Sequence, residues 1–152
     1  MPSRDSATPI VMDTNVLVAG ACRHAGSMAY RLLLGVLREE IPLILTPSIA
    51  LEYQDVLLRP RVLDLTGLTH AQSVDLVTDL IALSRRVQRA LQWRPNLRDE
   101  ADNKFVEAAI HAGAVIVTYN VADFREPDMA EHGWTAMTPE EFLARYSVEE
   151  TE

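Results

Sequence analysis

Four short apolar runs set the limits on what this chain can become. Residues 10–12, 41–45, 114–118 and 134–137 are each too short for a core helix and are bounded by turn or cap residues, so they read as buried strands. Longer stretches with helical periodicity lie between them. Ser27 is placed to cap a helix to Glu40, with Ala29, Leu32, Leu33, Val36 and Leu37 along one face. Thr46-Pro47 supplies a cap followed by proline at the first helical position, and that helix is expected to run to about Leu58, where Arg59-Pro60 ends it. Thr69 and Gln72 have the spacing of a capping box, ahead of a helix carrying Val74, Val77, Leu80 and Ile81. Residues 85–91 read as a short strand or edge segment. A further helix opens at 99–102 and closes at Gly113, and Thr138-Pro139-Glu140-Glu141 caps a last one to about Tyr146. Strands alternating with helices imply a mainly parallel sheet covered on both faces. Residues 1–8 read as a loose leader, 9–146 as one domain and 147–152 as an acidic, frayed tail.

Bulk properties narrow the class. A chain of 152 residues is expected to form one domain with a sufficient core. The single cysteine, Cys22, allows no internal disulfide, and the four histidines lack zinc-type spacing. No apolar stretch is long enough to span a membrane, and the N-terminus lacks an apolar signal core, so a cytoplasmic protein is expected. The net charge of −8 is unevenly spread: residues 1–98 hold 11 basic and 9 acidic side chains, whereas residues 99–152 hold 3 basic and 13 acidic ones. Five arginines and no acid fall between residues 80 and 98. Arginine's planar fork suits phosphate; codon bias in a GC-rich genome would produce the same skew.

The chemistry is suggested by where carboxylates fall. Asp13 ends the first apolar run, in Met12-Asp13-Thr14-Asn15. Glu52 lies in a predicted apolar helix stripe, with Ile49 three residues before it and Val56 four after. Asp102 opens another helix, and Asp123 follows the run at 114–118. Asp13, Asp102 and Asp123 lie at element ends, where open α/β sheets build their sites. Gathered carboxylates without balancing cations repel one another and resist desolvation; a divalent cation removes that cost. The pattern therefore points to metal-dependent phosphoryl transfer, most directly a nuclease. Each acid also has a plain structural use. Asp13 could be a turn or N-cap residue, Glu52 a boundary residue reaching outward, and Asp123 the cap of a short turn. If Asp99 is an N-cap, Asp102 falls at the third helical position and both are explained by capping and the helix dipole. For Asp99 that use is favoured; for Asp102 the ligand role gains from the helix start Asn103-Lys104-Phe105-Val106. Thr118 and Asn120 supply neutral oxygens suited to outer contacts around a hard cation.

In combination these segments resemble a known family. The runs Val11-Met12-Asp13-Thr14-Asn15-Val16-Leu17-Val18, Asp102-Asn103-Lys104-Phe105-Val106-Glu107-Ala108-Ala109 and Ala112-Gly113-Ala114-Val115-Ile116-Val117-Thr118-Tyr119-Asn120-Val121-Ala122-Asp123-Phe124 are similar to PIN-domain ribonuclease signatures. The ending Met137-Thr138-Pro139-Glu140-Glu141-Phe142-Leu143 resembles the tail of PIN-family (VapC-like) toxins of bacterial toxin–antitoxin pairs. The resemblance spans roughly residues 10–146. It implies a three-layer α/β/α sandwich and cleavage of RNA dependent on Mg²⁺ or Mn²⁺. It carries the family's acidic quartet, as metal ligands and catalytic groups, onto Asp13, Glu52, Asp102 and Asp123, and the family's Ser/Thr after the late strand onto Thr118. Asn15, Thr118 and Asn120 are then expected to orient ligands and water. It also implies an antitoxin protein as partner and a homodimer. Many relatives have Asp where this chain has Asn120, so Asp123 must carry that side of the site.

Three other readings compete. A haloacid-dehalogenase-type phosphatase also places Asp after its first strand, but would want a second Asp where this chain has Asn15. A non-catalytic domain could bind RNA or protein and keep the acids as relics. A housekeeping RNA-processing nuclease would share the chemistry without the toxin role.

Overall fold

The central strands form where the sequence is apolar without interruption, because they are covered on both faces. The structure, a computed structural model, describes residues 7–86, 103–124 and 134–146. The β1 strand (Ile10–Met12) and β4 (Val115–Val117) lie side by side and are buried along their whole length. They pair in parallel with Ile10 opposite Val115 and Met12 opposite Val117. On the far side of β4, β5 (Thr135–Met137) pairs in parallel, with Val115 opposite Thr135. On the other flank, β2 (Ile44–Leu45) pairs in parallel with β3 (Arg85–Arg86). A parallel bridge from Ile10 to Leu43 and a hydrogen bond of 2.9 Å from the Ile10 amide to the Pro42 carbonyl join this pair to β1. The strand order is therefore β3-β2-β1-β4-β5, all parallel.

That order reverses direction between β1 and β4. The chain moves outward from β1 through β2 to β3, then crosses back to β4 on the opposite side of β1. Crossovers between parallel strands are right-handed almost without exception. Helices α1 (Thr14–Ala21), α2 (Met28–Leu37), α3 (Pro47–Leu57), α4 (Pro60–Thr66) and α5 (His70–Leu83) are thereby sent to one face, and α6 (Asn103–Ala112) to the other. The last helix, α7 (Pro139–Arg145), follows β5 and packs on α2, while α6 packs on β1, β2 and β4. The result is the expected α/β/α sandwich, and the strand order switches at β1 and β4, whose carboxyl ends are where such sheets bind ligands.

The caps fall where the sequence puts them. Ser27 accepts from the Tyr30 amide and Thr46 from the Ile49 amide, with Pro47 starting α3. Thr69 with Gln72, and Thr138 with Glu141, form complete capping boxes. Gly113 adopts φ +65° just past α6, a left-handed conformation that glycine accepts without cost.

Three expectations shift. The expected strand at 41–45 shrinks to Ile44–Leu45, because Pro42 has no amide to donate and only its carbonyl joins the sheet. Pro60 both ends one helix and begins α4, which Gly67 stops at φ +74°. Helix α1 was not expected at all. Its sequence, Thr-Asn-Val-Leu-Val-Ala-Gly-Ala, has the β-branched content of a strand, yet packing overrides that preference. Val16, Leu17, Gly20 and Ala21 are buried. At Gly20 a Cβ would stand 2.9 Å from the Ala29 carbonyl oxygen, so glycine is what lets α1 and α2 approach this closely. The leader up to residue 6, the tail at 147–152 and most of the segment expected at 85–91 lie outside the described residues. No helix among the described residues is long and apolar enough to cross a membrane.

Candidate active site

Asp13 stands at the turn from β1 into α1. Its amide extends the ladder by one bond, donating to the Val117 carbonyl at 2.9 Å. Its backbone is extended (φ −61°, ψ 144°), which makes it the N-cap of α1 by position, and its carbonyl accepts from the amides of Val16 and Leu17. Its side chain, however, makes no capping hydrogen bond. One carboxylate oxygen accepts instead from the hydroxyl of Thr118, 2.7 Å away and 105 residues later in the chain. The turn position is thus occupied as a structural reading would have it, while the carboxylate is directed across to β4.

Thr118 is fully buried immediately past β4. Its hydroxyl accepts from the Asn120 amide at 2.9 Å. A hydroxyl has a single proton to give, and here that proton goes to Asp13. Asn120 therefore helps orient Asp13 through its backbone; its side chain, like that of Asn15, is exposed.

Glu52 lies on α3, whose N-terminus rises from the carboxyl end of β2. The helix faces differ slightly from those expected. The buried row is Ile49, Tyr53 and Leu57, at i, i+4 and i+8, and Glu52 stands at its flank with about a quarter of its side chain exposed. Both of its carboxylate oxygens are engaged. Oε2 accepts a short hydrogen bond from the Thr14 hydroxyl, and Oε1 pairs with the Lys104 ammonium at 2.6 Å. The contact from Thr14, the residue after Asp13, brings Glu52 against the β1 end.

Tyr53 completes the floor. It is wholly buried, and its hydroxyl donates to the Met12 carbonyl, fixing α3 to the last residue of β1. Burial, then the charges of Asp13 and Glu52, push its ionisation well above the usual tyrosine range, so it remains a neutral donor. Asp13 is itself shifted upward, chiefly by burial and further by the Glu52 charge; the Thr118 hydroxyl and the amides of Thr14 and Asn15 partly offset this. Among the described residues, the donors around this carboxylate do not fully offset the burial of its charge.

The remaining predicted acids stand apart from this arrangement or outside the described residues. Asp123 lies exposed on a 3-10 turn (Val121–Phe124), where its amide donates to the Asn120 carbonyl at 2.9 Å. The turn is anchored by Phe124, which is fully buried, meets Phe105 edge-on at 6.5 Å, and accepts at its carbonyl from the Trp134 indole at 3.0 Å. Asp102 and Asp99 fall outside the described residues, although the first turn of α6, which follows them, reaches the site through Lys104. Among the described residues no three His, Cys, Asp or Glu side chains are grouped closely enough to hold a metal ion. The arrangement nonetheless fits a hard divalent cation. Mg²⁺ keeps several waters and is commonly held by only one or two carboxylates, and Asp13 offers a desolvated one.

Sequence reasoning missed Tyr53 and Lys104 as members of the site, and gave Thr14 no role of its own. A periodicity shifted by one residue hid Tyr53. Lys104 carried a signal, since it is the chain's single lysine among 13 arginines. Against known proteins, a family model described as PIN domain matches residues 9–122, three-quarters of the chain, which takes in Asp13, Glu52, Lys104 and Thr118 and stops one residue before Asp123. No curated protein matches the chain.

Proposed function

Because the chain belongs to the PIN-domain family, whose members are generally nucleases that typically use divalent metals, we propose that it is a Mg²⁺- or Mn²⁺-dependent endoribonuclease and the toxin of a toxin–antitoxin pair. The observation that carries this reading is Asp13. It is a buried carboxylate at the switch point of the sheet, turned toward Thr118 and offset only by neutral donors among the described residues.

Asp13 is the central ligand in this proposal and Asp102 the next, with Glu52 and Asp123 acting through water or neighbouring groups. When bound, a divalent cation supplies Lewis acidity at the phosphodiester and acidifies the attacking water. The protein's own groups do the positioning. Thr118 holds Asp13 in one orientation, and the Asn120 amide holds Thr118. Tyr53 and the buried strand ends exclude water from beneath the carboxylate. Asn15 and Asn120, exposed at the rim, offer amide groups to the substrate or its water. Tyr119, about half exposed beside Thr118, offers an aromatic face on which an unpaired base can stack. An antitoxin would cover this cleft, with an Arg side chain reaching the carboxylates. The protein acts in the cytoplasm as a homodimer in this reading, which the ending at 137–143, similar to that of the family's toxins, supports.

The test compares wild type with Asp13→Asn on mixed structured RNA, in Mn²⁺ and in EDTA. Cleavage that requires Mn²⁺ and falls by at least about a thousandfold in the variant supports the reading, a loss of ~4 kcal/mol of barrier stabilisation. Equal cleavage by both proteins, or cleavage undiminished by EDTA, refutes it.

A further inference from the structure

Asp13 and Glu52 are neighbouring carboxylates in opposite situations. Asp13 faces neutral donors only among the described residues: the Thr118 hydroxyl and nearby amides. Glu52 is closed. One oxygen is taken by the Thr14 hydroxyl, the other by the Lys104 ammonium at 2.6 Å. The ammonium and its carboxylate are each only about a quarter exposed, so the pair is shielded from much of the screening that weakens surface ion pairs. Lysine brings a compact point charge on a flexible stem, and no other lysine exists in the chain. A divalent ion could approach Glu52 only by expelling that ammonium or by sitting beside it against cation–cation repulsion.

We propose that Lys104 is a resident cation of this site, occupying at Glu52 the place a second metal would take and limiting the protein to one divalent ion, held at Asp13. This inference rests on the metal-dependent reading above and adds to it a stoichiometry and a residue that sets it. Glu52 then acts as a positioning residue: it holds Thr14 and Lys104 at the edge of the site and gives the metal no direct contact.

The experiment is calorimetric titration of Mn²⁺ into chelator-treated full-length protein, with circular dichroism to verify folding. Wild type and Lys104→Arg, which keeps the charge, are expected to bind one equivalent. Lys104→Met is expected to bind two, and to show a larger Mn²⁺-induced rise in Tm than wild type. The double variant Glu52→Gln/Lys104→Met, lacking both the ammonium and the acid it masked, is expected to return to one equivalent. A second equivalent in wild type, or a single equivalent of unchanged affinity in folded Lys104→Met, overturns the inference and leaves the metal-dependent reading standing. No Mn²⁺ uptake by any folded variant overturns both.

Discussion

The two ends of the candidate site are built in different ways. At the β1 end, Asp13, Thr14, Glu52, Tyr53, Lys104 and Thr118 come from four separate stretches of chain and are joined by hydrogen bonds and an ion pair, with Asp13 and Tyr53 buried. At the β4 end, Asp123 is exposed on a 3-10 turn, held by a local backbone bond to Asn120 and by Phe124 beneath it. Both acids follow a buried strand by a short distance in sequence. Proximity to a strand end is therefore not enough to fix a carboxylate in place. What distinguishes Asp13 is that cross-chain partners hold its carboxylate and that burial leaves its charge poorly compensated.

The largest effect is expected at Asp13. Asp13→Asn should lower RNA cleavage by at least about a thousandfold, measured as single-turnover rates in Mn²⁺. Thr118→Val should follow, with a loss of about 10- to 100-fold, the usual cost of removing a group that orients a metal-binding carboxylate. Asp123→Asn should cost less than about tenfold, because an exposed side chain contributes through water at most. If Asp123→Asn proves as damaging as Asp13→Asn, the two ends are equivalent in function and the contrast drawn from burial is wrong.

Smaller effects are expected on stability. Tyr53→Phe leaves the Met12 carbonyl without its buried donor and should destabilise the fold by about 1–2 kcal/mol in urea melts. The pH dependence of the metal-free protein tests Asp13 separately. Its folded pKa lies above the ordinary 3.8, so the folded state takes up the proton more readily than the unfolded chain. Stability contributed by this group is therefore present below 3.8 and is lost as pH rises from there through the raised folded value. Asp13→Asn lacks this loss. In chelator, its stability relative to wild type should increase across that interval and level off above it. A relative stability independent of pH would show that Asp13 is not strained by burial.

Local signals in the sequence carried well into the structure. The capping boxes at Thr69 and Thr138, the cap and proline at Thr46-Pro47, the glycine at 113 and the buried runs of β1 and β4 all depend on residues within a few positions of one another. The same locality limited the rest. Helix α1 has strand-like composition and is helical because its apolar face packs on α2. Glu52 was readable as an acid near an apolar stripe, but its partners Thr14 and Lys104 are 38 and 52 positions away, and nothing local announces them. Asp13 was readable as a residue at a strand end; that its carboxylate turns to Thr118 instead of capping its own helix follows only from the β1–β4 register, which sets Met12 against Val117.

The proposed hard cation is held at Asp13, at the carboxyl end of β1, beside a Glu52 that stays paired with Lys104. An anomalous-difference map from crystals soaked in Mn²⁺ tests this placement most directly. One strong peak is expected about 2.1 Å from an Asp13 carboxylate oxygen, with Lys104 still paired to Glu52. A peak elsewhere on the surface, or none at Asp13 in crystals that bind Mn²⁺, would contradict it.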